Sequence, residues 1–599
     1  MKAVCLLVAM AGLGSAAGVQ AAASCKMGRV AELPVTMSGL RPLVKAKING
    51  KDATFIADSG AWYSLISPSS AAEYGLRLQS LGPNFMMSGV GGDFRPMMTV
   101  VDTFTIAGVS VPKLQFVVGG SDFGSIGLLG QNILALVDTE FDLGRGMIRL
   151  MQAEGCSKTN LAYWRQPDEA YSVLDTEGMA QARPHIIASI YVNGVRMSAL
   201  FDTGAGTSFL SLRAAARIGL KPGQPNVTPS GLTGGLGRKM VSTWIGPVSS
   251  IKMGDEEIKN TRLRFGGDDF GTVDMLIGAD FFLSHHIYWS NKNRKLFFTY
   301  NGGAVFNLRY LMDEEDGAPA PTTATSATTA VSKSVPAGAI GPTPTDAGGF
   351  GRRGGARASR GDIAGGLADL DQAVKMAPDD VDLLWQRAEL NGQARQPAKV
   401  IDDLNQILKI NPDHLDALLM RASVRLAMDK GSDIRPDVDA AAKAAPIASI
   451  RRLQIAGLYD QLGEYGPAIE QLDLWIAKHP DDNKKWMALN SRCWDRAMAG
   501  KDLDRALADC NAALRIAPHN PAFLDSRGMA RVRMGDYAKA IIDYDEALKL
   551  VPDIAWSHYG RGIARLRLGQ KAAGEADLAK AHEIDPKLRE KATRLGIVP

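Results

Sequence analysis

Two aspartates in this chain sit in the same short context. Asp58-Ser59-Gly60-Ala61 follows the apolar run Phe55-Ile56-Ala57, and Asp202-Thr203-Gly204-Ala205 follows Ala199-Leu200-Phe201. Two carboxylates on matching turns suit a pair that shares one proton. The ionised member can take a proton from water while the protonated member polarises a carbonyl. The residues around them fit that task. Ser59 and Thr203 carry small hydroxyls able to bond across to the partner loop, and Gly60 and Gly204 let backbone approach a carboxylate without a Cβ in the way. This chemistry calls for no covalent intermediate, metal or cofactor.

The elements that must position the pair are duplicated as well. Asn49-Gly50 and Asn193-Gly194 are turn signals that predict a hairpin in front of each aspartate. Ser64-Leu65-Ile66-Ser67 matches Ser208-Phe209-Leu210-Ser211, and Ala71 to Leu76 matches Ala215 to Leu220. Further on, Leu128-Leu129-Gly130-Gln131-Asn132 matches Leu276-Ile277-Gly278-Ala279-Asp280, with four extra residues in the second half. Each half closes with a strand pair, Phe141 to Leu150 and Trp289 to Phe298. Repetition at this depth is itself a fold signature.

An apolar-apolar-Asp-Ser/Thr-Gly-Ala motif followed by apolar-apolar-Gly resembles the lobe of a retropepsin-type aspartic protease, and the resemblance covers residues 40 to 300. It implies two all-β lobes, an Asp58/Asp202 catalytic dyad, and a peptide or protein substrate. It also implies flaps in the glycine-rich stretches Ser88-Gly89-Val90-Gly91-Gly92 and Thr233-Gly234-Gly235-Leu236-Gly237. The halves are not identical. Ala57 stands where the second half has Phe201, and Trp62-Tyr63 stand where it has Gly206-Thr207, so the two sides of the cleft are expected to differ. For Trp62 the expected role is packing beneath its loop.

Length and charge set outer bounds. A chain of 599 residues implies several domains, and a formal charge of +4 is too small to point to nucleic acid. The N-terminus has Lys2, an apolar stretch through Leu13, and Ala21-Ala22-Ala23. It reads as a signal peptide over residues 1–23, implying a periplasmic or secreted protein. Membrane association is expected only if that segment is retained or Cys25 is lipidated. Four cysteines then remain, Cys25, Cys156, Cys493 and Cys510. Position favours Cys25 with Cys156 and Cys493 with Cys510; four buried thiols are the alternative. Adjacent His285 and His286 would face opposite sides of a strand and make a poor metal pair.

Lobe 1 is expected over residues 24–158 and lobe 2 over 159–312. Residues 313–361 are rich in Ala, Thr, Pro and Gly and read as a flexible linker, with Arg352, Arg353, Arg357 and Arg360 as a solvated charge run. From 362 to 599 prolines recur at 378, 412, 446, 480, 518, 552 and 586, nearly every 34 residues. With Gly528, Ala540, Tyr544, Ala547 and Pro552 in place, this period resembles the tetratricopeptide repeat (TPR). The resemblance implies six helical hairpins, one helix before them and a polar cap after Pro586. The array is an all-α solenoid whose concave face takes a protein partner. Two functions follow as alternatives: an exported aspartic endopeptidase with a recruiting array, or a non-catalytic scaffold that holds peptides. The lobes are expected to pair within one chain, favoured by their tether, rather than between chains.

Overall fold

The computed structural model describes the chain except residues 1–24, 83–84, 91, 121–126, 178–184, 236–239, 268–270, 307, 309–342, 481 and 483. The expected signal peptide, and Gly91 and Gly237 of the expected flaps, therefore lie outside the described residues.

Both halves fold as β-rich lobes, and the Asn-Gly dipeptides explain how each begins. Asn49 and Gly50 both have positive φ, as do Asn193 and Gly194, giving two-residue turns that match strand twist. They join strand Arg41–Ile48 to Lys51–Ala57 in one lobe and Ile187–Val192 to Val195–Phe201 in the other. The apolar-Gly motif then threads into the same sheet. Leu128 pairs in parallel with Ile56 and antiparallel with Leu65; Leu276 does the same with Leu200 and Phe209. Strands enclosed on both sides in this way must be apolar throughout, as these are. Gly130 and Gly278 permit the tight passage, since a Cβ on them would stand 2.7 Å from Tyr63 carbon and 2.5 Å from Thr207 carbon.

The lobes are joined by a sheet to which each contributes three strands. Its order is Ser172–Asp175, Lys295–Tyr300, His285–Ser290, Asp138–Asp142, Met147–Glu154 and Lys26–Ser38. At its centre Thr139, Glu140 and Phe141 pair with Trp289, Tyr288 and Ile287 across the pseudo-twofold axis. The Cys25–Cys156 disulfide clips the N-terminal end of this sheet to the segment after its last lobe 1 strand. One apolar core runs through both lobes, with Phe141, Phe201, Phe281, Phe282 and Phe298 fully buried near the junction.

The linker ends earlier than its composition implies. Residues Ala347–Ser359 form a helix despite five glycines, capped by Asp346, whose carboxylate accepts the Gly349 amide at 2.7 Å. Its glycines permit close packing: a Cβ on Gly354 would meet the Gly366 carbonyl at 2.9 Å. The arginine cluster is likewise not a solvated run. Arg353 binds Asp369 at 2.6 and 2.8 Å, and Arg360 donates to the carbonyls of Asn301 and Gly302. Ser359 donates to the Gly39 carbonyl at 2.7 Å, so this helix seats the solenoid against lobe 1.

That helix completes a hairpin with Ile363–Met376, making seven hairpins among the described residues where six were expected, followed by the expected closing helix Leu588–Arg594. Repeat chemistry explains their stacking. Tyr544 is fully buried between two glycines, and a Cβ on Gly528 or Gly560 would collide with its ring or hydroxyl. A recurring arginine locks the hairpins other than the fourth. Arg387–Asp403, Arg421–Asp437, Arg527–Asp543 and Arg561–Asp577 each bridge the two helices at 2.6–2.7 Å. Cys493 and Cys510 are joined inside the fifth hairpin. No described helix is long and apolar enough to cross a membrane.

Candidate active site

Asp58 and Asp202 end equivalent strands and meet where the lobes join. Each is fixed from behind. The Asp58 amide donates to the Leu129 carbonyl at 3.0 Å, and the Asp202 amide to Ile277 at 2.8 Å. Each carboxylate also accepts two amides of its own turn. Asp58 Oδ1 takes those of Gly60 and Ala61 at 2.9 and 2.8 Å; Asp202 Oδ1 takes those of Gly204 and Ala205 at 2.9 and 3.2 Å. Their remaining sides face each other and share a hydrogen bond.

The hydroxyls between them interlock. The Ser59 amide donates to Thr203 Oγ1 at 3.0 Å, and the Thr203 amide to Ser59 Oγ at 2.9 Å. Each hydroxyl donates onward into the other lobe, Ser59 to the Phe201 carbonyl at 2.8 Å and Thr203 to Ala57 at 2.7 Å. All four partners are buried, so none has water as a substitute. The loops are thereby held as one unit.

Burial and the negative charge of Asp202 push the Asp58 carboxyl well above its ordinary value. Burial also raises Asp202, but the hydrogen bond from Asp58 and the turn amides oppose that rise. The pair therefore carries one proton between the two titrations. The two titrations belong to the pair.

A second pair of mirrored contacts supports the turns, and its role is not evident from sequence. Ser64 donates its hydroxyl to Asn132 Oδ1 at 2.9 Å and receives the Gly130 amide at 3.0 Å. In lobe 2, Ser208 donates to Asp280 Oδ1 at 2.7 Å and receives the Gly278 amide at 2.9 Å. The signal was the serine six residues beyond each aspartate, matched with the residue two beyond each apolar-Gly motif. The lobes differ in one atom here. Burial pushes the Asp280 carboxyl up to about 7, whereas Asn132 has no charge to bury.

Of the first expected flap, Met87–Gly89 pairs with Gly92–Phe94, and Val90 packs against the lobe 2 cluster containing Leu200 and Leu276. In lobe 2, Thr228–Thr233 pairs with the strand beginning at Val241, and the described glycines Gly234 and Gly235 follow it. Asymmetry in the cleft takes a different form from that expected. Phe201 turns away into the core against Phe281, at 5.9 Å between ring centroids. Trp62 reaches across to lobe 2, where its indole donates to His185, instead of packing beneath its own loop.

Among the described residues, one other cluster has ligand-type side chains. Glu140, Asp142 and His286 converge in the interlobe sheet. Arg149 supplies a cation there, 2.5 Å from Glu140 and 3.5 Å from Asp142, and the Tyr163 hydroxyl donates to Glu140 at 2.5 Å. The network joins lobe 1 carboxylates to a lobe 2 histidine. His285 instead faces Glu256 at 3.1 Å, so the two histidines do diverge.

Comparison with known proteins agrees with both halves of this architecture. Residues 44–133 and 188–281 match the Aspartyl protease family model, and residues 528–569 match the TPR repeat model. The chain joins a duplicated retropepsin-like module to a tetratricopeptide repeat array. Among solved structures, a tetratricopeptide repeat protein from Parabacteroides merdae is 17% identical with a TM-score of 0.32, over 41% of this chain and 96% of its own. The Cut9–Hcn1 hetero-tetramer of APC/C is similar at 15% identity and TM-score 0.30, over 41% of this chain and 48% of that one. MamA matches at 15% and 0.20, over 35% of this chain and 92% of its own. No curated protein matches the chain.

Proposed function

We propose that this protein is an exported aspartic endopeptidase whose tetratricopeptide array recruits the protein it cleaves or a regulator. The observation that carries the reading is the mutual approach of Asp58 and Asp202 within an interlocked Ser59/Thr203 frame. Asp202, ionised, takes a proton from a water held between the carboxyls as the water oxygen attacks the peptide carbonyl carbon. Asp58, protonated, donates to the carbonyl oxygen, so a neutral gem-diol forms with no charge left on it. Asp202 then gives its proton to the amide nitrogen while Asp58 takes one back from a gem-diol hydroxyl, so the C–N bond breaks to an amine and a carboxylic acid and the pair is restored. The flap strand Met87–Gly89 would cover an extended peptide and exclude bulk water.

Export is proposed from the N-terminal apolar stretch, and two disulfides suit an oxidising periplasmic or secreted setting. The intact dyad, turns and flap hairpin favour catalysis over a peptide-holding scaffold.

A peptide with a secondary hydroxyl in place of the scissile carbonyl tests the site, since it resembles the gem-diol. It should bind the wild-type chain and compete with substrate, and binding should collapse in Asp58→Asn. Equal affinity for both chains would overturn the catalytic reading. Removal of residues 343–599, cut ahead of the seating helix, should spare short peptides and slow cleavage of the native partner. Unchanged cleavage of both would remove recruitment.

A further inference from the structure

Among the described residues, eight aspartates are buried in the solenoid, and their partners divide them. Asp369, Asp403, Asp437, Asp509, Asp543 and Asp577 each hold an arginine within 2.6–2.7 Å. The other two, Asp495 and Asp525, hold none. Asp495 shares a hydrogen bond with Asp460, and Asp525 accepts one from the Ser557 hydroxyl. Both line a single cavity of about 310 Å³ on the face formed by the first helices of the fourth to seventh hairpins.

The cavity's other walls fit one kind of guest. Trp494 and Trp556 stand edge to face at 5.7 Å between centroids, presenting indole to the opening. Asn490 Oδ1 is shut off from solvent and accepts no hydrogen bond among the described residues, so it offers an unused acceptor beside the carboxylates. None of the lining residues is basic. The fourth hairpin, which opens the cavity, lacks the locking arginine of the series. Ile455 and Gln471 occupy those helix positions, Arg452 donates to Gln471 instead, and a Cβ on Gly457 beside the cavity would meet nothing within 4 Å.

We infer that this cavity takes the lysine or arginine side chain of a basic peptide segment in a partner protein. A guest cation would supply the charge that the other six aspartates receive from within the chain, and indole faces add cation–π attraction in a partly desolvated site. Carboxylates held without a cation are unfavourable here: burial and Asp460 push Asp495 up to about 9, and burial pushes Asp525 up to about 7. The inference rests on the recruitment reading and gives it a chemical class.

The test is fluorescence anisotropy with labelled eleven-residue glycine/serine peptides bearing a central pair of lysine, arginine, norleucine or glutamate. The full chain carries Asp58→Asn so that no peptide is cut. Lysine and arginine peptides should bind at least about tenfold more tightly than the other two. Asp495→Asn, Asp525→Asn and Trp494→Leu should each remove about tenfold of that affinity, whereas exposed Asp504→Asn should not. The asparagine variants relieve buried charge and keep volume, so they should fold, as thermal melts will show. Equal binding of all four peptides, or binding indifferent to Asp495 and Asp525, would overturn the inference. Glutamate peptides that bind tightly and depend on Trp494 would reject the cationic class while leaving recruitment standing. Peptides without any effect, together with cleavage that is unchanged on removal of residues 343–599, would remove recruitment itself.

Discussion

A β-carbon built on Gly60 would stand 2.3 Å from Cγ of Asp202, and Gly204 bears the same relation to Asp58. Each glycine is therefore the floor on which the opposite lobe's carboxyl rests. Gly60→Ala or Gly204→Ala should force the carboxyls apart and break the hydrogen bond that lets them share a proton. Overpacking of this kind costs about 1–3 kcal/mol, so the variants should fold with lowered stability. Their peptide hydrolysis should fall by at least about a hundredfold, equivalent to some 2.7 kcal/mol of barrier. A kinetic assay beside a thermal melt separates the two effects.

Thr203 makes a sharper structural prediction. Thr203→Val keeps the shape but strands the buried Ser59 amide and Ala57 carbonyl, at about 1–3 kcal/mol for each lost partner. Thr203→Ser retains the hydroxyl and should be nearly neutral. Denaturant unfolding of the three proteins measures the difference. Equal stability of the valine and serine variants would show that the interlock holds nothing together.

Asp280 predicts a pH effect of defined sign. Its folded-state value is about 7 against 3.8 for a free carboxyl, so between these values the folded chain holds the extra proton. Its contribution is fully present below pH 3.8 and is lost as pH rises through 7. Asp280→Asn, which copies Asn132 in the other lobe, should match the wild type near pH 3.5 and melt several degrees higher at pH 8. Melting temperature across that range tests this; a variant less stable at pH 8 would contradict it.

Much of this architecture was legible because duplication reveals itself in spacing. The Asp-Ser/Thr-Gly-Ala and apolar-Gly motifs marked the strands that place Asp58 and Asp202, and the proline period marked the hairpins. What escaped depended on contacts between distant segments. The helix Ala347–Ser359 looked like linker because glycine disfavours isolated helices, yet those glycines serve close packing against Ile363–Met376. The arginine cluster looked solvated because its carboxylate partner, Asp369, lies in the next helix. Trp62 was assigned to its own loop because His185, 123 residues away, gives no local sign of being its partner. The carboxyl of Asp280 and the amide of Asn132 were visible as letters; the serines that bind them became meaningful only once the apolar-Gly strand lay beside Leu65 and Phe209.

The most direct measurement is hydrolysis of an unbiased peptide library from pH 3 to pH 9 by the wild type, Asp58→Asn and Asp202→Asn. Asp58 holds its proton well above the ordinary carboxylate value, and Asp202 must be ionised while it does so. The wild-type rate should therefore be bell-shaped, failing on the acid side as Asp202 protonates and on the alkaline side as Asp58 loses its proton. Each asparagine variant should fold normally and cleave nothing at any pH. A wild-type chain that cleaves no peptide across that range, or an Asp58→Asn or Asp202→Asn chain that cleaves as fast as the wild type, would contradict the account.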